Sequence, residues 1–404
     1  MIPDSNTAPL RAQNLRRTNL AVVLDQLRRH GPHSRSRLVD ATGLTRSAIG
    51  GLVEELVGLE LASEVASAPD GSPGRPSPVA QIDTSHVAVL AVDIGVDGIG
   101  VATVALDGTV IRSVRLVRTQ DRASLAETII DVVSLTRRLG FTGASASGRR
   151  LMAVGVAVPG PVREHDNLVA AAPNLGWTDG VRLGQLLSEA LECEVPLLVG
   201  NESDLGALAE ARYGAGVGAD HMVYLHGEVG VGGGLIVRGR RISGHLGYAG
   251  EIGHLPVNPD GIDCRCGSNG CWETEVGEAA LLRRAGVGFD HGSDRVALLV
   301  AAAEAGDPDA RHAMEEEGRW LGIGISGLIN LVDPEIVVLG GLFSQILEQV
   351  RESMEAEVER RRFHGIDRAV PIVAASLDPD VTFIGAAELA YEALAADPAG
   401  VAIT

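Results

Sequence analysis

The chain has 404 residues, with 53 acidic side chains against 34 lysines and arginines and a formal net charge of −19. This charge argues against nonspecific nucleic-acid binding by the whole molecule, and the length suits two or three domains. No lysine occurs, so cationic phosphate contacts must come from arginine. No apolar run reaches the length of a membrane span and no signal-peptide core opens the chain, which predicts a cytoplasmic protein with reduced thiols and no membrane partner.

The first eighty residues are nearly neutral, with nine arginines against eight acids. Helical patterns cover residues 14–29, 34–41 and 47–56, and a turn at 42–44 separates the second from the third. Helix, short helix, glycine turn and helix is the layout of a helix-turn-helix, with Thr45 as N-cap of the third helix. We therefore predict a DNA-reading module, with an ordinary three-helix bundle as the alternative.

The third helix is the predicted recognition helix. Arg46 and Ser47 in its first turn would face base edges, and Arg35 and Arg37 nearby would touch phosphates. The N-cap residue Thr45 is a further candidate DNA contact. Gly50 and Gly51 depart from a good helix pattern, since each costs roughly 1 kcal/mol relative to alanine.

A wing is predicted after the third helix. A short strand at 61–66 is followed by a segment rich in proline and glycine that ends at Pro78 and presents Arg75 between Gly74 and Pro76. A rigid, extended tip of this kind suits insertion of one guanidinium into a narrow minor groove. A plain proline-rich linker explains the same residues equally well.

From residue 87 onward, strands followed by helices occur twice and predict two α/β lobes around a cleft. The predicted strands are 87–95, 98–104, 110–117, 154–160, 195–199, 222–226, 235–238 and 333–341. Predicted helices cover 123–139, a segment ending near 211, and a long region from about 296 to 332, while 227–234 is predicted to be a glycine loop.

One segment concentrates metal-binding chemistry. His254 is followed by Cys264, Cys266 and Cys271, and these three thiols stand within eight residues of a chain that has only four cysteines. One imidazole and three thiolates are a ligand set typical of a closed tetrahedral zinc site. The alternatives are unrelated core cysteines or a disulfide, which the odd number of thiols disfavours. We predict structural Zn²⁺.

These motifs together resemble the ROK family of sugar-responsive repressors and sugar kinases, and most closely its repressors of the xylose-repressor type. The specific pieces are Gly250–His254, Cys264–Glu273 and Val229–Gly234. The resemblance implies an α/β fold in which a winged helix-turn-helix at residues 1–82 precedes two actin/hexokinase-like, ribonuclease H-like lobes. These lobes would cover 83–200 and 201–404, with the last helix packed back on the first lobe.

The resemblance also implies a monosaccharide site in the cleft. The residues implied to hold the sugar are Asn174, Asn201, Glu202, Glu251, His254 and Glu273. Amide and carboxylate groups suit vicinal hydroxyls, and the two ring nitrogens of His254 can divide between zinc and sugar. Arg265 is the one arginine inside these motifs, which favours an unphosphorylated sugar.

Three departures from the family's kinase pattern indicate that phosphoryl transfer is lost. The position of the catalytic aspartate carries Glu202, the first phosphate loop carries Val96 and Asp97 in place of glycine and threonine, and the second carries Glu228 and Val229 in place of glycine and threonine. Added carboxylates repel a nucleotide, and one extra methylene misplaces a base. Gly340 and Gly341 still match the adenosine end of the family's site.

The resulting prediction is a sugar-responsive DNA-binding regulator, a repressor of carbohydrate-metabolism genes, that is not an enzyme. Its expected partners are a palindromic double-stranded operator, a monosaccharide effector and further copies of itself in a dimer or tetramer. Two alternatives stay open: an active or bifunctional kinase of a hexose or amino sugar, and a DNA-binding protein whose body is only a dimerisation scaffold.

Overall fold

The computed structural model describes residues 12–66, 78–118, 124–287, 294–363 and 368–396. They form a small helical module and two α/β lobes, each with its own sheet. Within these residues, no helix is both long and apolar enough to cross a membrane.

The N-terminal module contains three helices and a small sheet. Its elements are α1 (Ala12–His30), β1 (His33–Ser34), α2 (Arg35–Thr42), α3 (Arg46–Gly58), β2 (Ala62–Val65) and β3 (Val79–Ile82). The hydroxyl of Thr45 accepts a hydrogen bond from the amide of Ala48 at 3.3 Å, which confirms the predicted N-cap of α3. Gly43 takes a left-handed conformation (φ 70°) between α2 and α3, so the glycine turn forms as expected.

The sheet of the module has the order β1-β3-β2, and β2 and β3 are antiparallel neighbours. Strands β2 and β3 flank the predicted wing tip, and Arg75 lies outside the described residues. The module closes around a core of fully buried side chains: Leu20, Leu24, Leu38, Ile49, Val53 and Leu56.

The first lobe is built on a six-stranded sheet. Its elements are β4 (Val87–Ile94), β5 (Gly98–Ala105), β6 (Val110–Val117), α4 (Leu125–Arg138), β7 (Ser145–Ala146), β8 (Arg149–Val158), β9 (Val162–Arg163), β10 (Leu168–Val169), α5 (Leu183–Leu191) and β11 (Leu197–Asn201). The order is β11-β8-β4-β5-β6, with β7 beside β8. Because β4, β8 and β11 are parallel, Asp93 and Asn201 lie near the carboxyl ends of their strands at the same edge of the sheet, opposite Ala157 and Val158 of β8.

The second lobe has a five-stranded sheet of order β14-β13-β12-β15-β16. Its elements are α6 (Glu202–Tyr213), β12 (His221–Gly227), β13 (Val231–Val237), β14 (Arg240–Arg241), α7 (Trp272–Val276), α8 (Glu278–Arg284), α9 (Arg295–Glu304), α10 (Pro308–Val332), β15 (Ile336–Gly341), α11 (Leu342–Arg361) and β16 (Ile372–Ala374). The last helix, α12 (Val381–Ala396), follows it.

In this lobe one sequence prediction was wrong, and another was helical as expected but missed a break. The predicted loop 227–234 is mostly strand, because Gly232 to Gly234 belong to β13 and only the tight turn around Glu228 joins it to β12. The glycines are there for close packing: a Cβ on Gly232 would stand 2.0 Å from Ser203 Oγ of α6. The long helical region is two helices, since Pro308 opens α10 after a break at Gly306 (φ 94°).

Helix α12 returns to the first lobe and packs against α6, β4 and β8, and it also contacts α1 of the module. The packing is close enough to require glycine. A Cβ on Gly155 of β8 would stand 1.9 Å from the carbonyl oxygen of Ala386, and one on Gly385 would stand 2.1 Å from that of Leu205. The position of α6 is therefore fixed by backbone contacts on two sides, from β13 and from α12.

We expect Gly385→Ala to destabilise the protein by about 1–3 kcal/mol, because the new methyl group forces α12 away from α6. Gly327, inside α10, is the matched control: apart from the adjacent residues and the backbone of α10 itself, no atom of the described residues lies within 4 Å of a Cβ placed there. Gly327→Ala should be neutral or stabilising by up to about 1 kcal/mol. Urea unfolding of both variants measures the difference, and equal effects would contradict the packing argument.

Candidate ligand cleft and metal cluster

A cleft of about 660 Å³ opens between the lobes at the edge where β4, β8 and β11 end. All six candidate sugar ligands line it, namely Asn174, Asn201, Glu202, Glu251, His254 and Glu273. Four of the five positions that depart from the kinase pattern line it, namely Glu202 and also Val96, Glu228 and Val229. The structure thus brings together residues that are far apart in sequence, and their binding of a sugar stays a prediction.

Asn201 holds the cleft end of α6 in place. Its side-chain oxygen accepts hydrogen bonds from the amides of Ser203 and Asp204, at 2.9 and 3.1 Å, as an N-cap. Its side-chain amide donates to the carbonyl oxygen of Gly160 at 2.9 Å. One amide hydrogen is left over, so Asn201 can still donate to one ligand hydroxyl.

Four potential metal ligands converge beside these residues. The ligand atoms of His254, Cys264, Cys266 and Cys271 all lie within 4.8 Å of one another. The Sγ atoms of Cys266 and Cys271 are 3.6 Å apart, and Cys264 Sγ is 3.7 Å from Nδ1 of His254. A tetrahedral site with Zn–S bonds of about 2.3 Å has edges of about 3.8 Å, so this donor set fits zinc in both chemistry and spacing.

The loop that carries these ligands is anchored at its end. Trp272, directly after Cys271, is fully buried and donates from Nε1 to the carbonyl oxygen of Trp320 in α10 at 3.0 Å. Gly324 makes room for its indole ring, since a Cβ there would stand 2.0 Å from Trp272 Cε2. The metal loop is therefore tied to the longest helix of the second lobe.

His254 lies between the metal cluster and the open cleft. Its Nδ1 points to Cys264 Sγ and lies 3.6 Å from Oε1 of Glu273, while its Nε2 lies 3.9 Å from Oε2 of Glu251. With Nδ1 on a metal, Nε2 would carry the proton and face Glu251 and the cleft. Bound zinc would thereby fix the orientation of one ligand-facing donor.

Carboxylates crowd the opposite side of the cleft. Burial raises the pKa of Glu202 well above its ordinary range, and nearby Glu228 and Asp93 raise it further. Burial also raises the pKa of Glu228 to about 7, with contributions from Asp97 and Asp93. A trianionic or tetra-anionic group placed here would meet like charges in a partly buried site.

Asp93 is held by partners that sequence reasoning missed. Its Oδ2 accepts a hydrogen bond from the hydroxyl of Thr382 in α12 at 3.0 Å and lies 3.4 Å from Nη1 of Arg115. The guanidinium of Arg115 also stacks over the ring of Phe383, 4.1 Å from its centroid. Residues from β6 and α12 thus fill the space around the first phosphate-loop position, and no local spacing in the sequence signals this.

Arg241 is a second residue that the sequence did not reveal. Its side chain is only 5% exposed and forms an ion pair with Glu164 of the first lobe, and its Nη1 lies 3.5 Å from Oδ2 of Asp204 in α6. Burial raises the pKa of Asp204 to about 7, and Arg241 opposes that rise. Arg241 therefore ties β14 of the second lobe to the first lobe and to Asp204, which follows the cleft-lining Ser203.

The predicted DNA-contacting face is partly engaged within the module. Arg37, Thr45, Arg46 and Ser47 are exposed. Arg35 donates from Nε and Nη2 to both carboxylate oxygens of Glu64 in β2, at 2.8 and 2.9 Å. A phosphate contact by Arg35 would have to compete with this bidentate pair, and all six candidate DNA contacts, Arg75 among them, stay predictions.

We expect the purified protein to contain one zinc per chain and Cys266→Ser to lose most of it, because a serine hydroxyl is a poor zinc ligand at neutral pH. Cys193→Ser is the matched control, since Cys193 is half-buried and outside the cluster. Elemental analysis after dialysis measures both. Equal zinc content in the two variants would show that the cluster is not the metal site.

Glu228 should make stability depend on pH. Its folded-state pKa of about 7 lies above the ordinary 4.5, so its contribution is fully present below about pH 4.5 and is lost as pH rises through 7. We expect Glu228→Gln to raise the melting temperature at about pH 8 and to change it little at about pH 4.5. Glu348→Gln is the control, because Arg351 lowers the pKa of that exposed carboxyl and no gain should follow. A pH-independent effect of Glu228→Gln would contradict the raised pKa.

Comparisons with known proteins place the chain in a family. The sequence model of the ROK family matches residues 89–393. The xylose repressor of Bacillus subtilis (strain 168) is 25% identical over 381 residues, which are 94% of this chain and 96% of that protein. The glucokinase of Streptomyces coelicolor is 30% identical over 322 residues, which are 75% of this chain and 97% of that protein.

The fold has a solved counterpart over nearly its whole length. A ROK family transcriptional regulator, homologous to the E. coli MLC protein, superposes with a TM-score of 0.79 at 25% identity and covers 95% of this chain and 97% of that chain. The α/β fold class expected from the sequence is thereby confirmed. The chain belongs to the ROK family.

Proposed function

We propose that the protein is a sugar-responsive transcriptional repressor of carbohydrate-metabolism genes. The module at residues 1–82 binds operator DNA, and a monosaccharide binds in the cleft between lobes 83–200 and 201–404. One observation carries this proposal: six candidate sugar ligands share a cleft with the His/Cys cluster, while carboxylates crowd its other side. The B. subtilis xylose repressor is similar over 94% of the chain, whereas the glucokinase match covers only 75%.

The same asymmetry supports a regulator that is not a kinase. The resemblance puts a catalytic aspartate where this chain has Glu202, and the extra methylene would displace a proton acceptor from the hydroxyl that it must reach. Asp97 and Glu228 add charge where the resemblance puts nucleotide phosphates. Zn²⁺ held by His254 and the three cysteines would stiffen the sugar-binding loop and take no part in chemistry.

Operator binding is proposed for the exposed first turn of α3. Arg46 and Ser47 would face bases, and Arg37 a phosphate, with Thr45 capping the helix between them. One recognition helix contacts only a few base pairs, which is too few to specify an operator. A homodimer or a tetramer bound to a palindromic operator would contact enough of them. Sugar can change operator affinity only by binding one arrangement of lobes and module more tightly than another.

The test begins with thermal melts of the zinc-loaded full chain with D-xylose, D-glucose and other monosaccharides, each with and without Mg-ATP. A sugar at a hundredfold excess over its dissociation constant stabilises the native state by roughly 2.7 kcal/mol. We expect a shift with at least one sugar, none with Mg-ATP, and loss of the sugar shift in Cys266→Ser. The same sugar should change the affinity for a DNA duplex that the protein selects from a random library.

The glucokinase similarity and Gly340–Gly341 give the kinase alternative a specific basis. Sugar-dependent ATP hydrolysis or sugar phosphate formation that is lost on Glu202→Gln would establish that alternative. Duplex selection without any sugar shift would instead favour a DNA-binding protein whose body is only a scaffold.

A further inference from the structure

A buried arginine joins the DNA-reading module to the rest of the chain. Arg28, near the end of α1, is 7% exposed. It donates from Nε to the carbonyl oxygen of Leu106 in the β5–β6 turn at 3.1 Å and from Nη2 to the hydroxyl of Tyr213 at 3.1 Å. Its guanidinium also forms an ion pair with Glu388 of α12 and stacks over Tyr391, 4.3 Å from the ring centroid.

Glu388, the partner of Arg28, accepts the remaining hydrogen bonds of this network. Its Oε1 accepts a hydrogen bond from the hydroxyl of Tyr213 at 2.8 Å, and its Oε2 accepts one from Nε of Arg212 at 3.3 Å. Arg212 then returns to the module, donating from Nη1 to Asp25 of α1 at 3.3 Å. Three helices, α1, α6 and α12, therefore meet at one charged cluster, in which Arg28 and Glu388 are almost fully shielded from water and Asp25 is 35% exposed.

The α6 partners stand at the opposite end of that helix from the cleft. Helix α6 begins at Glu202, directly after its N-cap Asn201, and ends at Tyr213. Its 12 residues span about 18 Å at 1.5 Å per residue. If a ligand in the cleft shifts the N-terminal end of α6 at Asn201, the rigid helix transmits the shift to Arg212 and Tyr213 at its other end.

We propose that Arg28 and Glu388 form the joint that transmits occupation of the cleft to the DNA-reading module. This inference rests on the proposed function. Directional hydrogen bonds are suited to transmitting movement, because the guanidinium of Arg28 bonds at the same time to the β5–β6 turn, to α6 and to α12. If these elements move relative to one another, either a bond breaks or α1 turns. The stability of the fold does not require charged residues at this place, because apolar residues of similar volume can often replace a buried ion pair without loss of folding free energy.

The test uses the zinc-loaded full chain and the double variant Arg28→Met, Glu388→Met, which keeps side-chain volume and removes both charges together. Affinity for the selected duplex is measured with and without saturating D-xylose and, separately, D-glucose. In the wild type we expect one sugar to change the affinity by a factor typical of allosteric proteins, roughly 5–150. In the double variant the ratio of the duplex affinities with and without sugar should approach one. Its zinc content, its sugar-induced melting shift and its binding of the duplex without sugar should persist.

Two further variants separate transmission from folding. Tyr213→Phe keeps the ring against Gly108 and removes only the hydroxyl that bridges Arg28 and Glu388, so its ratio should fall part of the way. Arg16→Gln with Glu55→Gln removes an exposed ion pair within the module and should leave the ratio unchanged. A wild-type ratio in both the double variant and Tyr213→Phe would overturn the proposal.

If neither sugar changes the affinity of the wild type for the duplex, that result counts against the proposed function and not against the joint between Arg28 and Glu388. Calorimetry then tests the joint by itself. The module and the first lobe should then unfold together in the wild type, and the module should unfold separately in the double variant. A single shared transition in both proteins would overturn the joint.

Discussion

The close approach of α6 to its two neighbours is the constraint on which the rest of this structure depends. Strand β13 contacts one side of the helix through Gly232 and Gly234, and α12 contacts another through Gly385. At these distances backbone meets backbone or short side chain, so the helix has little freedom to shift. Asn201 and Glu202 are therefore placed in the cleft by packing that lies outside the cleft.

Charge then divides the cleft into two unlike halves. On one side, His254 and the three cysteines offer a site for a cation that would orient a hydrogen-bond donor toward Glu251. On the other, burial and mutual repulsion raise the pKa values of Glu202 and Glu228. On the proposed function, neutral hydroxyls would suit the first half and a polyphosphate would not suit the second, so one cleft could keep sugar recognition without phosphoryl transfer.

Sequence patterns predicted those parts of the site whose residues are close together in the sequence or stand at the end of a predicted strand. The four candidate metal ligands are close along the chain, and Asn201 stands at the end of a strand that meets the ends of its parallel neighbours. The glycine segment 227–234 was misread because glycine marks loops and close packing alike, and only α6 reveals which applies. The break before Pro308 was missed because alanine-rich helical pattern continues on both sides.

The ionic networks could not be predicted, for a different reason. Arg28 and Glu388 are separated by 360 positions, and Arg241 and Glu164 by 77, so no local period relates the partners. Arginines and glutamates of this kind are read as surface residues unless the fold is known, because most of them are. Only the return of α12 to the first lobe places Glu388 beside α1.

The two networks also act at different ends of the same helix. Arg241 binds Asp204 in the first turn of α6, next to the cleft, while Arg28 binds Tyr213 in the last. Buried charge pairs of this kind tolerate little change of geometry, because a separated pair leaves each charge without solvent. Movement at the cleft is thus more easily relieved by turning the whole helix than by bending it. The module follows, because α1 is bonded to the same last turn.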